Sequence, residues 1–304
     1  MISKIRKAFS NAFRMQSIIE NKLVLSTLKQ SALLSSSAKV GVENELISDK
    51  PIVVSLTTYG KKIHEVYLVI ESIFQQTVRP NKVILWLSDK HFSLDNIPVV
   101  LRRQMERGLE IRFCNDVRSY TKVIYAFEEF PNAHVISVDD DIVYPFDMIK
   151  SFLCAYKNNP NRIYFNRGHR MLFDKKNQKM FPYLDWCKAG YAKDSSILNL
   201  PLGVYGIFYP ASIINKEVLN KSVFLDICPM ADDVWFKAMS LINGVECSAV
   251  SDGAVNMNDF ISIELDREKA LARTNVDLGA NDWQIQKVFE RYNLFEVIRN
   301  ETNS

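Results

Sequence analysis

The sequence predicts an α/β fold in which a mainly parallel central sheet is covered by helices on both faces. From Pro51 onward, short runs rich in valine, isoleucine and leucine alternate with segments whose apolar residues recur at helical spacing. A helix between each pair of successive strands allows neighbouring strands to run in the same direction. Strands buried on both faces are expected to be almost wholly apolar, and these runs are.

The predicted elements follow one another regularly in the first half of the chain. The strands are 52–56, 82–87, 109–113 and 135–138, and the helices are 66–75, 98–108 and 121–130. Gly108 is placed to end the second helix, because glycine adopts the left-handed conformation common after helix C-termini. The second half is less regular, with helices predicted at 148–158, 231–239 and 281–289 and strands at 162–166 and after 206.

Residues 1–48 differ in character from the rest. The first thirty residues contain six lysines or arginines but only one acid, Glu20, and their isoleucine and phenylalanine residues recur at roughly helical spacing. The serines at 35–37 indicate a linker. Two interpretations remain open for this basic amphipathic helix. It either binds an anionic membrane surface or packs on the main domain as an ordinary helix.

Composition excludes several classes of protein. The chain has 304 residues, of which 47% are hydrophobic and 24% charged, and its net charge of +3 gives no signature of nucleic-acid binding. Its five cysteines are scattered and form no CxxC pair, which favours a reducing compartment and argues against structural zinc. No apolar run reaches the ~18 residues that would indicate a membrane span, and no secretory signal is recognisable. A cytoplasmic protein is expected.

Three consecutive carboxylates, Asp139, Asp140 and Asp141, follow the buried run that ends at Val138. In extended backbone, residues i and i+2 point the same way, so Asp139 and Asp141 are expected to share a face. Carboxylates held together repel unless a cation lies between them, and such hard oxygen ligands suit Mg²⁺ or Mn²⁺ together with phosphate oxygens. The pattern indicates a metal–diphosphate site. The alternative is a solvated acidic turn.

Polar residues also follow the other predicted strands. Tyr59 comes after the first strand and Asp89 after the second, while the acidic triplet comes after the fourth. In open parallel sheets, ligands bind outside the carboxyl ends of the strands. These residues are therefore expected to converge in space.

Six motifs occur in order along the chain, at 54–59, 69–77, 84–88, 139–145, 203–210 and 231–236. Together they resemble GT-A-fold glycosyltransferases that use a nucleotide-sugar donor. More closely, they resemble family-2-like transferases encoded in bacterial capsule, O-antigen and lipopolysaccharide gene clusters. The resemblance implies that residues 1–48 are a helical extension and linker and that 49–304 form a GT-A domain. Within it, 49–145 would be the nucleotide-binding half and 146–304 the acceptor and catalytic half.

The resemblance also implies which residues bind the donor. Thr57 and Tyr59 would flank the nucleotide base and ribose, and Asp89 would hydrogen-bond the base, unless it is simply a turn residue. Lys122 would reach a phosphate or the base edge; a solvated helical lysine is the alternative.

The acidic triplet would contact both the nucleotide and the metal. Asp139 would touch the ribose or the metal, Asp140 would belong to the nucleotide site, and Asp141 would ligate Mn²⁺ or Mg²⁺. Many GT-A enzymes supply a further histidine ligand late in the chain, but no histidine follows His169 here. His169 itself, a distal Asp or Asn, or water would then complete the coordination shell.

Asp232 and Asp233 resemble the catalytic base of inverting members of the family. One carboxylate would deprotonate the acceptor hydroxyl as that hydroxyl attacks the anomeric carbon. The alternative is that the pair caps the following helix, with Asp233 favoured as the base if the two roles are divided.

Other residues receive weaker assignments. The loop containing Gly203 and Gly206 would let the backbone approach the donor sugar, or would simply be a turn entering a strand. His169 and Arg170 would contact a phosphate or the acceptor, although an internal, hydrogen-bonded histidine is an equal alternative.

The expected protein is thus an inverting, metal-assisted glycosyltransferase. It would move sugar from a nucleotide donor, with UDP- and GDP-sugars as first candidates, to a polysaccharide or lipid-linked saccharide at the inner membrane face. One alternative is a sugar nucleotidyltransferase, although the loop at 57–62 lacks the glycine density of that class. Another is a non-catalytic GT-A-like binding subunit of a polysaccharide-assembly complex.

Overall fold

The computed structural model describes residues 2–33, 40–177, 179–189, 192, 194–250, 257–263 and 279–303. The helices are α1 (Ile2–Leu33), α2 (Val66–Phe74), α3 (Val99–Met105), α4 (Thr121–Glu129), α5 (Met148–Asn158), α6 (Tyr183–Ala189), α7 (Lys221–Ile227), α8 (Asp232–Ile242), α9 (Ala280–Arg291) and α10 (Leu294–Asn303). The strands are β1 (Ile52–Thr57), β2 (Lys82–Ser88), β3 (Leu109–Cys114), β4 (His134–Ser137), β5 (Ile142–Val143), β6 (Arg162–Phe165), β7 (Gly168–Arg170), β8 (Phe173–Asp174), β9 (Lys179–Met180), β10 (Asn199–Pro201), β11 (Ile207–Tyr209), β12 (Glu246–Ala249) and β13 (Ile261–Ser262).

A seven-stranded sheet forms the centre of the molecule, in the order β12–β6–β11–β4–β1–β2–β3. Strands β4, β1, β2 and β3 pair in parallel, as do β6 and β12. Strand β11 runs antiparallel to both of its neighbours, β4 and β6. The predicted mainly parallel sheet is confirmed, with this one antiparallel insertion.

Helices cover both faces of the sheet, because successive residues of each strand point to opposite sides. In β4, Ile136 belongs to the apolar cluster that contains Val69 of α2 and Phe152 of α5. Its neighbour Val135 belongs to the opposite cluster, which contains Ile124 of α4. The predicted two-sided cover is confirmed.

Some boundaries differ from the sequence prediction. Helix α3 ends at Met105, three residues before the predicted end, although Gly108 does adopt the expected positive φ of 110°. Helix α10 was not predicted at all. Its apolar positions, such as Leu294 and Ile298, are buried against a core built from distant parts of the chain.

The C-terminal end of α1 packs on the main domain. Leu28 and Ala32 are buried in the cluster that includes α2 and α3, whereas Met15 and Leu23 are more than half exposed. Beyond α1, the Asn81 side-chain amide donates hydrogen bonds to the carbonyl oxygens of residues 43 and 45. The C-terminal end of α1 is therefore attached to the main domain, and the described residues before it include apolar side chains that face outward. None of the described helices is both long enough and apolar enough to cross a lipid bilayer.

Candidate functional site

The candidate site lies at the carboxyl ends of β1 and β4, as expected from the order of the strands. After β4, the backbone stays extended through Val138, whose N–H donates to the Ser55 carbonyl oxygen of β1, and then turns at 140–141. After β1, residues 60–64 form a short 3-10 helix. These two loops bring the acidic triplet and a lysine together.

Asp140 is buried, and both of its carboxylate oxygens are bound within the protein. The Thr58 hydroxyl donates to Oδ2 at 2.7 Å, and Lys62 Nζ donates to Oδ1 at 2.9 Å. Burial raises the pKa of Asp140, and the Lys62 ammonium acts in the opposite direction. Asp140 therefore anchors Lys62 beside the site.

Lys62 also contacts Asp141, with Nζ 2.9 Å from Oδ2. Burial acts to lower the pKa of Lys62, but the charges of Asp140 and Asp141 outweigh it and raise that pKa above its ordinary value. The sequence analysis did not assign Lys62 a role. The only available signal was its position in a polar loop directly after a predicted strand.

Asp139 pairs with a different lysine. Lys122 Nζ lies 2.7 Å from Asp139 Oδ1 and 3.4 Å from Asp232 Oδ2. Asp141 does not contact Lys122, because the chain turns at 140–141 and Asp141 shares Lys62 with Asp140.

Lys122 on α4 is buried and ion-paired, so the solvated-lysine alternative is wrong. Burial acts to lower the pKa of Lys122, yet the surrounding carboxylates of Asp139, Asp232 and Asp233 raise it well above its usual value. Lys122 stays an ammonium ion and joins the end of β4 to the start of α8.

Asp233 faces the glycine loop that precedes β11. The Gly203 N–H donates to both oxygens of Asp233, at 3.2 and 3.3 Å. A Cβ at position 203 would lie 2.7 Å from Lys122 Nζ, so any larger residue there would require the lysine ammonium to shift. Gly206, at φ 91°, then turns the chain into β11.

Neither Asp232 nor Asp233 caps α8. The N-cap residue is Ala231, and no side chain caps it; the two aspartates occupy the first helical turn, where negative charge is favoured by the helix dipole. The capping alternative from the sequence is therefore wrong. Burial raises the pKa of Asp233 to about 8, and the neighbouring Asp232 carboxylate is the next largest cause of this rise. The Lys122 ammonium partly opposes it.

Tyr144 is a second residue that the sequence analysis missed. Its hydroxyl accepts a hydrogen bond from the Asp139 N–H at 2.8 Å and donates to the Val204 carbonyl oxygen at 3.3 Å. The buried tyrosine thereby fixes the acidic turn relative to the glycine loop. It lies in the motif at 139–145, but nothing local in the sequence distinguishes it from a core aromatic residue.

The remaining predicted residues lie at varying distances from this centre. The Thr57 hydroxyl donates to the Trp86 carbonyl oxygen, and Tyr59 is 61% exposed beside Lys62. Asp89 is exposed directly after β2, and its backbone N–H donates a hydrogen bond to a carbonyl oxygen of the neighbouring strand β3. No contact within the described chain joins it to the acidic triplet.

His169 and Arg170 lie on β7, apart from the acidic residues. The His169 ring is buried and packs edge-on against Tyr183, and Arg170 donates to the Asn199 side chain at 2.9 Å. Both side chains make contacts within the protein, in the small β7–β10 sheet. The described contacts connect neither to the carboxylates.

The carboxylates have the donor chemistry that a hard divalent cation requires. Asp139 Oδ2 and Asp141 Oδ1 form no hydrogen bond or ion pair within the described part of the chain, and the two side chains are 28% and 34% exposed. The described residues contain no ready-made cluster of three metal-ligating side chains. Mg²⁺ is commonly held by one or two carboxylates plus substrate phosphates, so the residues fit an ion shared with a diphosphate.

No protein-family model and no curated protein sequence matches this chain. Among solved structures, it is similar to the mannosyltransferase PcManGT from Pyrobaculum calidifontis in complex with GDP-Man and Mn²⁺. That likeness covers 95% of this chain and 80% of the other at 13% identity, with a TM-score of 0.52. The chain is less similar to S. aureus TarS, at 15% identity over 67% of this chain and 59% of the other, with a TM-score of 0.43. It is also less similar to a CMP:2-keto-3-deoxy-manno-octonic acid synthetase complexed with CTP, at 12% identity over 66% of this chain and 88% of the other, with a TM-score of 0.39. The chain has the GT-A-like fold of the first of these.

The raised pKa of Asp233 predicts a pH-dependent contribution to stability. The folded-state pKa, about 8, lies above the ordinary 3.8, so the folded protein holds a proton that the unfolded chain releases. This contribution is complete below about pH 4 and is lost as the pH rises to about 8. Asp233→Asn abolishes the titration but keeps an oxygen for the Gly203 N–H. We expect the Tm of the variant to rise relative to wild type across that interval, as measured by thermal unfolding at stepped pH.

The matched control is Asp226→Asn, which removes an exposed carboxylate on α7. Parallel Tm–pH curves for wild type and Asp233→Asn would contradict the raised pKa. A difference between the two variants that grows with pH would support it.

Proposed function

We propose that this protein is a glycosyltransferase that moves a sugar from a nucleotide-diphosphate donor to a saccharide or lipid-linked saccharide acceptor, with inversion. One observation carries the proposal. A half-buried carboxylate of raised pKa, Asp233, lies across Lys122 from the acidic turn after β4, at the ligand-binding edge of the sheet. A base beside a diphosphate-binding group is the arrangement that a single displacement needs.

In this mechanism Asp233 accepts the proton of the acceptor hydroxyl. The hydroxyl oxygen attacks the anomeric carbon, the bond to the diphosphate breaks, and the configuration inverts. A general base works best when its pKa lies near the working pH, and a value of about 8 meets that condition. The Gly203 N–H holds the carboxylate in place.

Asp139 and Asp141 would hold Mn²⁺ or Mg²⁺ through their uncommitted oxygens. When bound, the ion would supply positive charge to the leaving diphosphate. Lys62 and Lys122 place two further ammonium groups at the same turn. We assign Thr57 and Tyr59 to the nucleotide, because Thr57 is the last residue of β1 and Tyr59 follows it closely.

The assignment of the base is tested by Asp233→Asn. This change keeps the shape and the hydrogen bond from Gly203 but removes the basicity, so donor binding should persist while turnover falls by ~100-fold or more. Donor hydrolysis and sugar transfer are measured with a panel of UDP-, GDP-, CMP- and dTDP-sugars. Asp232→Asn is the comparison: a large loss there with normal turnover in Asp233→Asn would identify Asp232 as the base. No loss in either variant would refute the mechanism.

The metal assignment predicts that Asp141→Ala abolishes metal-dependent donor binding, because Asp140 has no free oxygen with which to replace it. Calorimetric titration of UDP or GDP with and without Mn²⁺ measures this. Asp226→Ala is again the surface control. If Asp141→Ala retains the metal-dependent gain in affinity, Asp141 is not a ligand.

We further propose that α1 attaches the enzyme peripherally to the inner face of the cell membrane. Ile18, Ile19 and Leu23 are exposed on α1, whose sequence also contains lysines and arginines. Each cation near an anionic leaflet contributes about 1 kcal/mol, and salt weakens this attraction. The buried Leu28 and Ala32 would fix the catalytic domain directly behind the bound helix.

Vesicle co-sedimentation tests this attachment. The full chain should bind vesicles of anionic lipid at low salt and be released at high salt. The double variant Ile18→Gln/Leu23→Gln changes only exposed positions, so it should keep the wild-type Tm. It should bind the vesicles at least tenfold more weakly, because each exposed apolar side chain contributes about 1–2 kcal/mol on insertion. Equal sedimentation of wild type and variant would rule out a membrane role for these residues.

A further inference from the structure

A small cavity is lined in part by Asp233 and Lys237 of α8. The cavity volume that the centre of a water molecule can occupy is about 10 Å³, which is enough for one water molecule. Its apolar walls come from Ile163, Pro201 and Phe236. Its polar residues are Asp233, Lys237, Ser240, Tyr209 and Cys247.

Lys237 is the most unusual residue in this cavity. It lies one helical turn after Asp233 on α8 and is only 2% exposed. The hydrogen bond described for Nζ is to Cys247 Sγ, at 3.5 Å. A thiol is a weak acceptor, so the amine keeps hydrogen-bonding capacity that a buried group must satisfy. Burial accordingly lowers the pKa of Lys237.

Tyr209 on β11 is the second buried group with unmet hydrogen-bonding capacity. It is only 2% exposed, and its ring packs against Phe127 and Phe236. No described residue makes a hydrogen bond with its hydroxyl. After burial, the Asp233 carboxylate is the main influence that raises the pKa of Tyr209, which identifies Asp233 as the principal charge near this tyrosine.

We propose that an ordered water fills this cavity and joins Lys237 Nζ and the Tyr209 hydroxyl to the Asp233 carboxylate, and that Lys237 is thereby a positioning residue for the catalytic base. Buried waters typically make about three hydrogen bonds to otherwise unsatisfied groups, and these residues supply that number. Residues i and i+4 of a helix lie on the same side, which places Lys237 next to Asp233 along one face of α8. The inference rests on the proposed function of Asp233.

The charged groups around Asp233 come from several elements. Asp232 lies beside it on α8, Lys122 approaches from α4, and Asp139 lies beyond Lys122 at the end of β4. On the cavity side, Cys247 and Glu246 of β12 and Arg170 of β7 act on Lys237. Asp233 therefore has one lysine near it from α4, Lys122, and another from its own helix, Lys237. Loss of Lys237 would leave its carboxylate less well stabilised.

Lys237→Met tests the proposal, because methionine fills the space without the amine. We expect the acid limb of the kcat–pH profile to move upward by about one unit. Turnover would then fall about tenfold near pH 7 and recover at high pH, because a one-unit shift is a tenfold change in the ionised fraction. The KM of the donor should not change. Tyr209→Phe should shift the profile in the same direction. Lys216→Met, an exposed lysine, is the control.

A second readout does not depend on turnover. The infrared carboxyl band of Asp233, isolated as the difference between wild type and Asp233→Asn, should titrate at higher pH in the Lys237→Met background. If the profile and the infrared titration are both unchanged in Lys237→Met, even with a lowered Tm, Lys237 is only structural and the proposal is overturned. Absence of sugar transfer by wild type with an intact infrared shift would refute the proposed function but not the link between Lys237 and Asp233.

Discussion

The structure depends on holding several carboxylates together at one end of the central sheet. Asp139, Asp140 and Asp141 leave β4 at a point that faces the first turn of α8, which adds Asp232 and Asp233. Such a group of negative charges repels itself unless cations lie within it. Two buried or half-buried lysines provide them. Lys62 spans Asp140 and Asp141, and Lys122 spans Asp139 and Asp232. The loop after β1, helix α4, the acidic turn and α8 are consequently fixed relative to one another.

This charge arrangement also explains the tight backbone around it. Strand β11 enters the sheet antiparallel between β4 and β6, and the loop before it must pass Lys122. Gly203 permits that approach and donates its N–H to Asp233, while Tyr144 joins the same loop to the acidic turn. The groups that would bind a diphosphate and the group that would act as base are thus joined by one connected set of ion pairs and hydrogen bonds. Fixed placement of reacting groups is what brings a bound acceptor and donor into reacting geometry.

The sequence pattern was reliable where a local period decides the structure. The apolar runs predicted β1 to β4 and the helices between them to within a few residues, and the order of elements predicted that Asp139–Asp141 would follow a buried strand. It was unreliable where the chain leaves regular structure. The turn at 140–141 breaks the alternation of side chains, so Asp141 joins Asp140 on Lys62 and does not share a partner with Asp139. Helix α10 and the antiparallel β11 depend on contacts with distant segments, for which a single sequence has no local signal.

The sequence by itself thus determined the fold class, the acidic turn and the pair of aspartates on α8, because strand and helix periods and carboxylate repulsion are properties of neighbouring residues. Only the tertiary structure decided how those charges are compensated. Lys62 and Lys122 are ordinary lysines in the sequence, and Lys237 looks like one position of an amphipathic helix; each becomes distinctive once burial removes water from around it. Desolvation acts through every element packed around a group. The raised pKa of Asp233 and the roles of these lysines are therefore products of packing between segments far apart in the chain.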